Sequence, residues 1–326
     1  MRQSLIVIDW ISTPDHRLFN RAFFGCLQLN KTNCYVFAKE LMIPEVRCLY
    51  LKSSDNRFGR LLSIIRLIRT LKNKKILFLT YDPLLLPIIT LFKRELYVYE
   101  HNTTPEYGLS KHFLFQKLFF SRRIVRLCQY LPQLERLSEI TSSAVYLGSP
   151  VRLFKKHIFG EPDSAWAPTG VHLAPSYRAD LSAIEKFSEL FKETTIIAKN
   201  AVAYTINNSS HDKIKWKFLK RVDFIYEGLE VDSVLVSVSS SLRGTGWFND
   251  AIGYNVPIII FNKDTKSLFT ETFPGFPFVF VDSSLTKKEM LSMLENIRKY
   301  DVASYVIENN SLISDRFTKA LCRNSD

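Results

Sequence analysis

Short apolar runs rich in β-branched residues alternate with helical patterns along the whole chain, and this alternation is the strongest constraint on its fold. The strand candidates in the first half are residues 5–8, 34–37, 48–51, 76–80, 96–99, 124–128 and 144–147. Those in the second half are 171–174, 195–198, 223–226, 234–238, 257–261 and 278–281. The helix candidates are 17–30, 58–72, 83–93, 111–121, 132–139, 180–192, 212–220, 246–253, 286–299 and 302–321. Short buried strands that alternate with helices are typical of parallel α/β sheets. We therefore predict an α/β chain with two Rossmann-like domains.

The predicted boundary lies in "KKHIFGEPDSAWAPTG", residues 155–170. This stretch combines two glycines, two prolines and small polar residues without periodicity, which is typical of a linker. A chain of 326 residues is long enough for two cores. Ligands of such sheets bind beyond the carboxyl ends of the strands, so two domains of this type predict sites on either side of a central cleft.

Composition excludes several classes of protein. No apolar run reaches the ~18–20 residues that span a bilayer. The first apolar run ends at Asp9, too early for a signal peptide, and it indicates a buried strand. The five cysteines form no CxxC pair, so neither a zinc site nor a disulfide framework is indicated, and no metal is expected. A reducing cytoplasm is the simplest setting.

Nearly all of the net charge of +12 lies in the first half of the chain. Residues 1–150 hold 22 Lys and Arg against 11 Asp and Glu, whereas residues 151–326 hold 22 against 21. A charge excess confined to one half favours an anionic partner for that half. Nucleic acid is not the expected partner, because no helix-turn-helix, RRM, KH or zinc signature is present.

A glycine cluster in "SLRGTGWFNDAIGYNVPIIIF", residues 241–261, lies between two apolar runs. Amide groups in the first turn of a helix have no intrahelical partner, and glycines there let a phosphate approach the backbone. Arg243 supplies a permanent charge beside Gly244, Thr245 and Gly246. The same glycines also suit an ordinary strand-to-helix turn with a hydroxyl N-cap. Both interpretations fit the residues alone.

The segment "FNDAIGYNVPIII" resembles the helix, Gly-x-Pro turn and strand of the nucleotide-sugar-binding domain in GT-B glycosyltransferases, of the family 4 and family 1 type. The resemblance implies that Asp250, seven positions before Pro257, binds the donor ribose, although Asp250 also suits a carboxylate on the surface of the helix. Retaining members of the family also place a glutamate eight residues earlier, where this chain has Leu242. The resemblance further implies a last helix that returns to the first domain. The expected domains are then 1–155 with 303–326, and 156–302.

The same resemblance nominates further donor-binding residues in the second half. "VHLAPSYR", residues 171–178, resembles the first strand of that domain and the loop facing the donor, which nominates Ser176 and Arg178. Lys199 follows the next strand, where a cation meets the diphosphate, and Glu227 falls where such folds hold the nucleobase. Each of the cations equally suits a solvated position at a strand end.

The candidate catalytic residues lie in the first half. His101 follows a strand in "LYVYEHNTTPEYG" and matches a histidine that contacts the donor sugar in family 4 enzymes. An enzyme that inverts the anomeric centre needs a general base, for which Asp15 and then Glu106 are the candidates. His101 also suits a local pair with Glu100, and Asp15 suits an N-cap of the helix that follows it.

The resemblance implies a metal-independent glycosyltransferase of bacterial surface polysaccharide synthesis, such as O-antigen or capsule, and no cofactor. No DxD-type metal motif is present. A nucleotide-diphosphate sugar is the expected donor, and a glycan, on a lipid carrier, is the expected acceptor. The alternatives are a nucleotide-sugar 2-epimerase of the same fold and an inactive GT-B binding subunit, which the missing glutamate at Leu242 keeps open.

Two basic segments, residues 59–75 and 110–126, suggest how the first half meets its anionic partner. Amphipathic helices of this kind lie on anionic lipid. Each segment also suits an ordinary helix with a buried stripe and solvated cations. Because the excess covers the whole half, we expect a cytoplasmic protein held peripherally at the inner face of the cell membrane.

Overall fold

The computed structural model describes residues 5–10, 16–27, 33–36, 48–50, 56–71, 74–92, 95–100, 117–153, 170–173, 194–198, 214–218, 233–237, 246–282 and 284–322. The chain divides into two units. The first unit comprises residues 1–150 and 311–326, and the second comprises residues 151–310.

The first unit is built on a seven-stranded sheet, and every strand pair is parallel. Its strands are β1 (Leu5–Asp9), β2 (Asn33–Val36), β3 (Cys48–Tyr50), β4 (Lys75–Thr80), β5 (Leu96–Glu100), β6 (Ile124–Cys128) and β7 (Ala144–Tyr146). They lie in the order β3-β2-β1-β4-β5-β6-β7. The helices described in this part of the chain are α1 (His16–Cys26), α2 (Arg57–Thr70), α3 (Leu86–Ile89) and α4 (Leu131–Ser138).

Helices cover both faces of this sheet because alternate residues of each strand point to opposite sides. In β1, Leu5 and Val7 pack in a core that includes residues of α1. Ile6 and Ile8 pack in a second core with α2 and α3. Strands that are buried on both faces have continuous apolar sequences, and these apolar runs predict the strands.

The second half of the last helix, α8 (Val302–Cys322), completes the core of the first unit. Its residues Ile313, Phe317 and Ala320 are buried among side chains of β1, β4, β5 and α1. Gly148 has a φ of +102°, and a Cβ at this position would lie 3.2 Å from Ile313 Cγ1. Glycine therefore permits both the backbone conformation and the close approach of the helix.

The second unit has a six-stranded parallel sheet in the order β10-β9-β8-β11-β12-β13. Its strands are β8 (Gly170–Leu173), β9 (Thr194–Ala198), β10 (Ile214–Phe218), β11 (Ser233–Ser237), β12 (Ile258–Ile260) and β13 (Val279–Phe280). The helices described here before α8 are α5 (Gly246–Tyr254), α6 (Lys263–Thr272) and α7 (Lys287–Arg298). The predicted α/β class with two Rossmann-like sheets is confirmed.

One element was assigned wrongly from the sequence. Residues 212–220 were predicted to be helical, but residues 214–218 form β10, at the edge of the second sheet. In the sequence, Ile214, Trp216 and Phe218 alternate with Lys215 and Lys217. This period of two is typical of a strand with one apolar face, which suits an edge position. The strand predicted at 223–226 lies outside the described residues.

Helix α6 was not predicted at all. Asn262 caps it by accepting hydrogen bonds from the amides of Asp264 and Thr265, at 2.8 and 3.1 Å. Its buried stripe is Thr265, Leu268, Phe269 and Thr272. Two of these four buried positions are threonines, so the apolar periodicity is weak in the sequence.

Within the described residues, no helix is long and apolar enough to cross a membrane.

Candidate functional site

Both sheets have the strand order in which a ligand crevice forms. In the second sheet, β8 and β11 are neighbours, and the chain leaves them towards opposite edges of the sheet. The corresponding neighbours in the first sheet are β1 and β4. Doubly wound sheets bind ligands at these switch points, beyond the carboxyl ends of the strands.

Helix α5 begins at the switch point of the second sheet. It connects β11 to the neighbouring parallel strand β12, so its first residue, Gly246, lies at the edge of the sheet where β11 ends. Nine residues form the helix, and the amides of its first turn have no intrahelical acceptor. Together with the helix dipole, these amides make the start of α5 suitable for an anionic group.

The Asn-x-Pro sequence that follows α5 suits the way in which this helix ends. Asn255 has a φ of +57°, the left-handed conformation that commonly terminates helices. The amide of Val256 donates to the carbonyl of Ala251 at 2.8 Å, and Pro257 then leads into β12. Phe248 anchors the helix, because it is buried with its ring centroid 4.9 Å from that of Phe269.

The structure places two of the predicted donor-binding residues together on α5. Gly246 is the first residue of the helix, and Asp250 lies four residues further along and is partly buried. The remaining candidates lie outside the described residues, and the roles of all the candidates stay predictions. They are Asp15, His101, Glu106, Ser176, Arg178, Lys199, Glu227, Arg243, Gly244 and Thr245.

Polar side chains that the sequence reasoning missed cluster at the switch point of the first sheet. Asp9, the last residue of β1, is buried. One of its carboxylate oxygens accepts a hydrogen bond from Nδ2 of Asn20 at 2.8 Å, and the other accepts one from the hydroxyl of Thr80. The signal in the sequence is an acidic residue that ends an otherwise apolar strand.

A second buried network was also missed, and it holds the end of β5, directly before His101. Glu100 forms an ion pair with Arg126 of the neighbouring strand β6, and both side chains are almost fully buried. The hydroxyl of Tyr81 lies 2.9 and 2.8 Å from the two carboxylate oxygens. Arg126 also donates to the carbonyl of Phe119 at 2.8 Å, and its guanidinium lies 4.4 Å from the ring centroid of that residue.

The charge state of Arg126 follows from these contacts. Burial lowers the pKa of Arg126, but the negative charge of Glu100 and the contacts with Tyr81 together outweigh it and hold this pKa above its ordinary value. The guanidinium and the carboxylate are therefore paired inside the protein. The network holds the carboxyl end of β5 in place, directly before the predicted catalytic residue His101.

Among the described residues, no group of three or more His, Cys, Asp or Glu side chains is arranged to hold a metal ion. No protein-family model matches the chain, and no curated protein matches it.

Solved structures do match the chain over nearly its whole length. HepE of Anabaena, solved in complex with UDP-glucose, has a TM-score of 0.61 at 10% identity, covering 98% of this chain and 100% of that one. The lipopolysaccharide outer core galactosyltransferase WaaB has a TM-score of 0.55 at 9% identity, covering 97% and 98%. WaaG, a glycosyltransferase involved in lipopolysaccharide biosynthesis, has a TM-score of 0.52 at 10% identity, covering 99% and 100%. The chain therefore has the GT-B fold, as its sequence motifs indicated.

Proposed function

We propose, from this GT-B fold, that the chain is a glycosyltransferase that moves a sugar from a nucleotide diphosphate to a glycan acceptor in bacterial surface polysaccharide synthesis. One observation carries the proposal: α5 begins at Gly246, at the switch point of the second sheet. The amides there suit a diphosphate. HepE, which shares the fold, is complexed with UDP-glucose.

In the proposed donor site, the diphosphate lies over the start of α5 and contacts Gly244, Thr245 and Gly246. The guanidinium of Arg243 neutralises part of its charge, and Asp250 accepts hydrogen bonds from the ribose hydroxyls. The outer donor residues are Ser176, Arg178, Lys199 and, at the nucleobase, Glu227. Oriented amides and cations of this kind stabilise a leaving diphosphate without a metal ion.

The proposed chemistry joins an acceptor hydroxyl to the anomeric carbon of the donor. For an inverting reaction, Asp15 or Glu106 takes the hydroxyl proton while the acceptor oxygen attacks and the bond to the diphosphate breaks. His101 contacts the donor sugar. The Glu100–Arg126 pair holds the end of the strand that leads into His101. The acceptor is a lipid-linked glycan, which the basic first half meets at the inner face of the membrane.

A ligand screen tests the proposal directly. Nucleotide sugars that bind the folded protein but not the unfolded chain stabilise the folded state, by about 2.7 kcal/mol at a concentration of 100 times their Kd. We expect at least one nucleoside diphosphate and its sugar conjugate to raise the Tm in a thermal-shift screen. If no nucleotide or nucleotide sugar stabilises the protein, the transferase proposal is wrong. Epimerisation of a free nucleotide sugar would indicate the epimerase instead, and tight binding without turnover would indicate a binding subunit.

Substitutions at the start of α5 test where the donor lies. We expect Arg243→Ala and Asp250→Ala each to weaken donor binding about tenfold to 100-fold, because each removes a hydrogen bond to a charged group. Isothermal titration calorimetry measures the change. Lys288→Ala and Glu308→Ala are matched controls, since both side chains are exposed on other helices of the second unit. Unchanged affinity in both test variants would place the donor elsewhere.

A further inference from the structure

Five large apolar side chains of helix α2 and of the segment 82–92 are exposed. They are Phe58, Leu62, Leu84, Leu91 and Phe92, and they make up half of the ten large apolar side chains found exposed in the described part of the chain. Single exposed apolar residues are normal on a protein surface. A group of them is not, and it marks a surface that meets another molecule.

Two of these residues belong to a continuous stripe on α2. Leu61, Ile64, Ile65 and Ile68 form its buried face. Phe58, Leu62, Arg66 and Arg69 are exposed at spacings of four, four and three residues. Side chains at these spacings lie on one face of a helix. The outer face of α2 therefore presents two apolar side chains followed by two arginines.

The other three exposed residues belong to the segment 82–92, which contacts α2 at both ends of the helix. At its start, Arg57 forms a bidentate ion pair with Asp82, with Nη2 2.6 Å from Oδ1. The same Oδ1 accepts a hydrogen bond from the amide of Leu84 at 3.0 Å. At its end, the guanidinium of Arg69 lies 4.8 Å from the ring centroid of Phe92.

The charge of this region is almost entirely positive. Residues 56–94 contain nine Lys and Arg and one acidic residue, Asp82, a balance of +8 out of +12 for the whole chain. Asp82 is buried and paired with Arg57, so its charge cancels that of Arg57 and the eight other cations of the region remain. Exposed apolar side chains that project among cations fit an anionic lipid surface, where the apolar groups enter the headgroup layer and the cations bind the headgroups.

We propose that Phe58, Leu62, Leu84, Leu91 and Phe92, together with Arg66 and Arg69, form the surface by which this protein binds anionic membranes. We call it the α2 surface. The inference rests on the membrane location in the proposed function and assigns it to particular side chains. It assigns the membrane contact to the first of the two basic segments, residues 59–75, together with the segment 82–92.

Vesicle flotation tests the assignment. The full chain is mixed with vesicles of equal parts phosphatidylcholine and phosphatidylglycerol, or of phosphatidylcholine alone. We expect binding to the anionic vesicles only, with a partition coefficient that falls as salt rises. Arg66→Gln with Arg69→Gln should reduce this coefficient about 30-fold, since each basic residue near the surface contributes about fivefold. Leu62→Ser with Leu91→Ser should reduce it by about tenfold or more.

The controls use exposed residues elsewhere in the chain. Arg122→Gln with Arg123→Gln removes two exposed cations of the first unit, and Ile307→Ser removes an exposed apolar side chain of the second unit. We expect both to bind vesicles within about threefold of the wild type, because neither lies on the α2 surface. All variants should keep their Tm and their stabilisation by the donor, since every substitution is at an exposed position.

The outcomes separate this inference from the proposed function. If the wild type binds anionic vesicles and the α2 variants bind equally well, or if the Arg122 and Arg123 variant loses binding instead, the α2 surface is the wrong assignment. If the wild type binds no vesicles, the membrane location fails as well. If the same substitutions instead dissociate a dimer in sedimentation experiments, the surface binds a second copy of the chain. Stabilisation by nucleotide sugars tests donor binding, on which the proposed glycosyl transfer depends, independently of all three results.

Discussion

Replacing Arg126 with methionine is expected to lower the free energy of unfolding of the first unit by about 3–5 kcal/mol. The substitution removes the cation but leaves Glu100 buried beside Tyr81 and its apolar neighbours. A buried carboxylate without its counter-charge must lose its hydration without compensation, or take up a proton at a cost. The effect is large because both side chains are almost fully buried.

Hydrogen exchange measured on peptides from β5 and β6 reports this loss for the first unit alone, and urea unfolding reports it for the chain. Arg122→Met is the matched control, since Arg122 is exposed and lies four residues before Arg126. The free energy of unfolding of this variant should fall by no more than about 0.5 kcal/mol. The double variant Glu100→Gln with Arg126→Met should recover most of the stability, because no charge is left buried. A loss below about 1 kcal/mol for Arg126→Met alone would contradict the importance of the pair.

Replacing Phe269 with alanine is expected to lower the free energy of unfolding of the second unit by about 3–5 kcal/mol. Its ring is fully buried and lies within 4.9–6.2 Å, between centroids, of the rings of Phe248, Phe273, Phe276 and Phe278. Alanine would leave a cavity in this cluster and remove edge-to-face contacts as well as buried area.

The same substitution should affect the proposed donor site through Phe248, which anchors α5 against Phe269. We expect faster hydrogen exchange in α5 and weaker donor binding, with exchange of β1 and β4 in the first unit unchanged. Leu312→Ala is the control, because Leu312 is exposed on α8 and should cost less than about 0.5 kcal/mol. Equal exchange rates for α5 in the variant and the wild type would show that Phe248 does not depend on this cluster.

Elements buried on both faces were readable from the sequence. β1 and β4 are continuous apolar runs with every, or nearly every, residue buried, and each was predicted within one residue of its bounds. β10 was assigned to the wrong class because its alternation of lysines with large apolar residues was not recognised as a strand period. α6 was missed because threonines occupy two of its four buried positions.

The two candidate regions differ in how far a local pattern predicts them. The start of α5 was expected at residue 246 because glycines and hydroxyls follow a strand there, and the helix begins at that residue. The pair of Glu100 and Arg126 could not be predicted locally, since the residues are 26 apart and meet only because β5 and β6 are neighbours. Partners on neighbouring strands depend on strand order, which a local pattern does not contain.

The contribution of α8 to the core of the first unit has a consequence for protein synthesis. Ile313, Phe317 and Ala320 leave the ribosome only after residues 151–310 have been translated. At the usual rates of translation, these 160 residues take roughly 8 to 32 s. During that interval, the nascent first unit exposes the apolar groups around Phe23 and Tyr99 that the helix later covers. We therefore expect ribosome-bound chains to be chaperone clients until the last residues emerge.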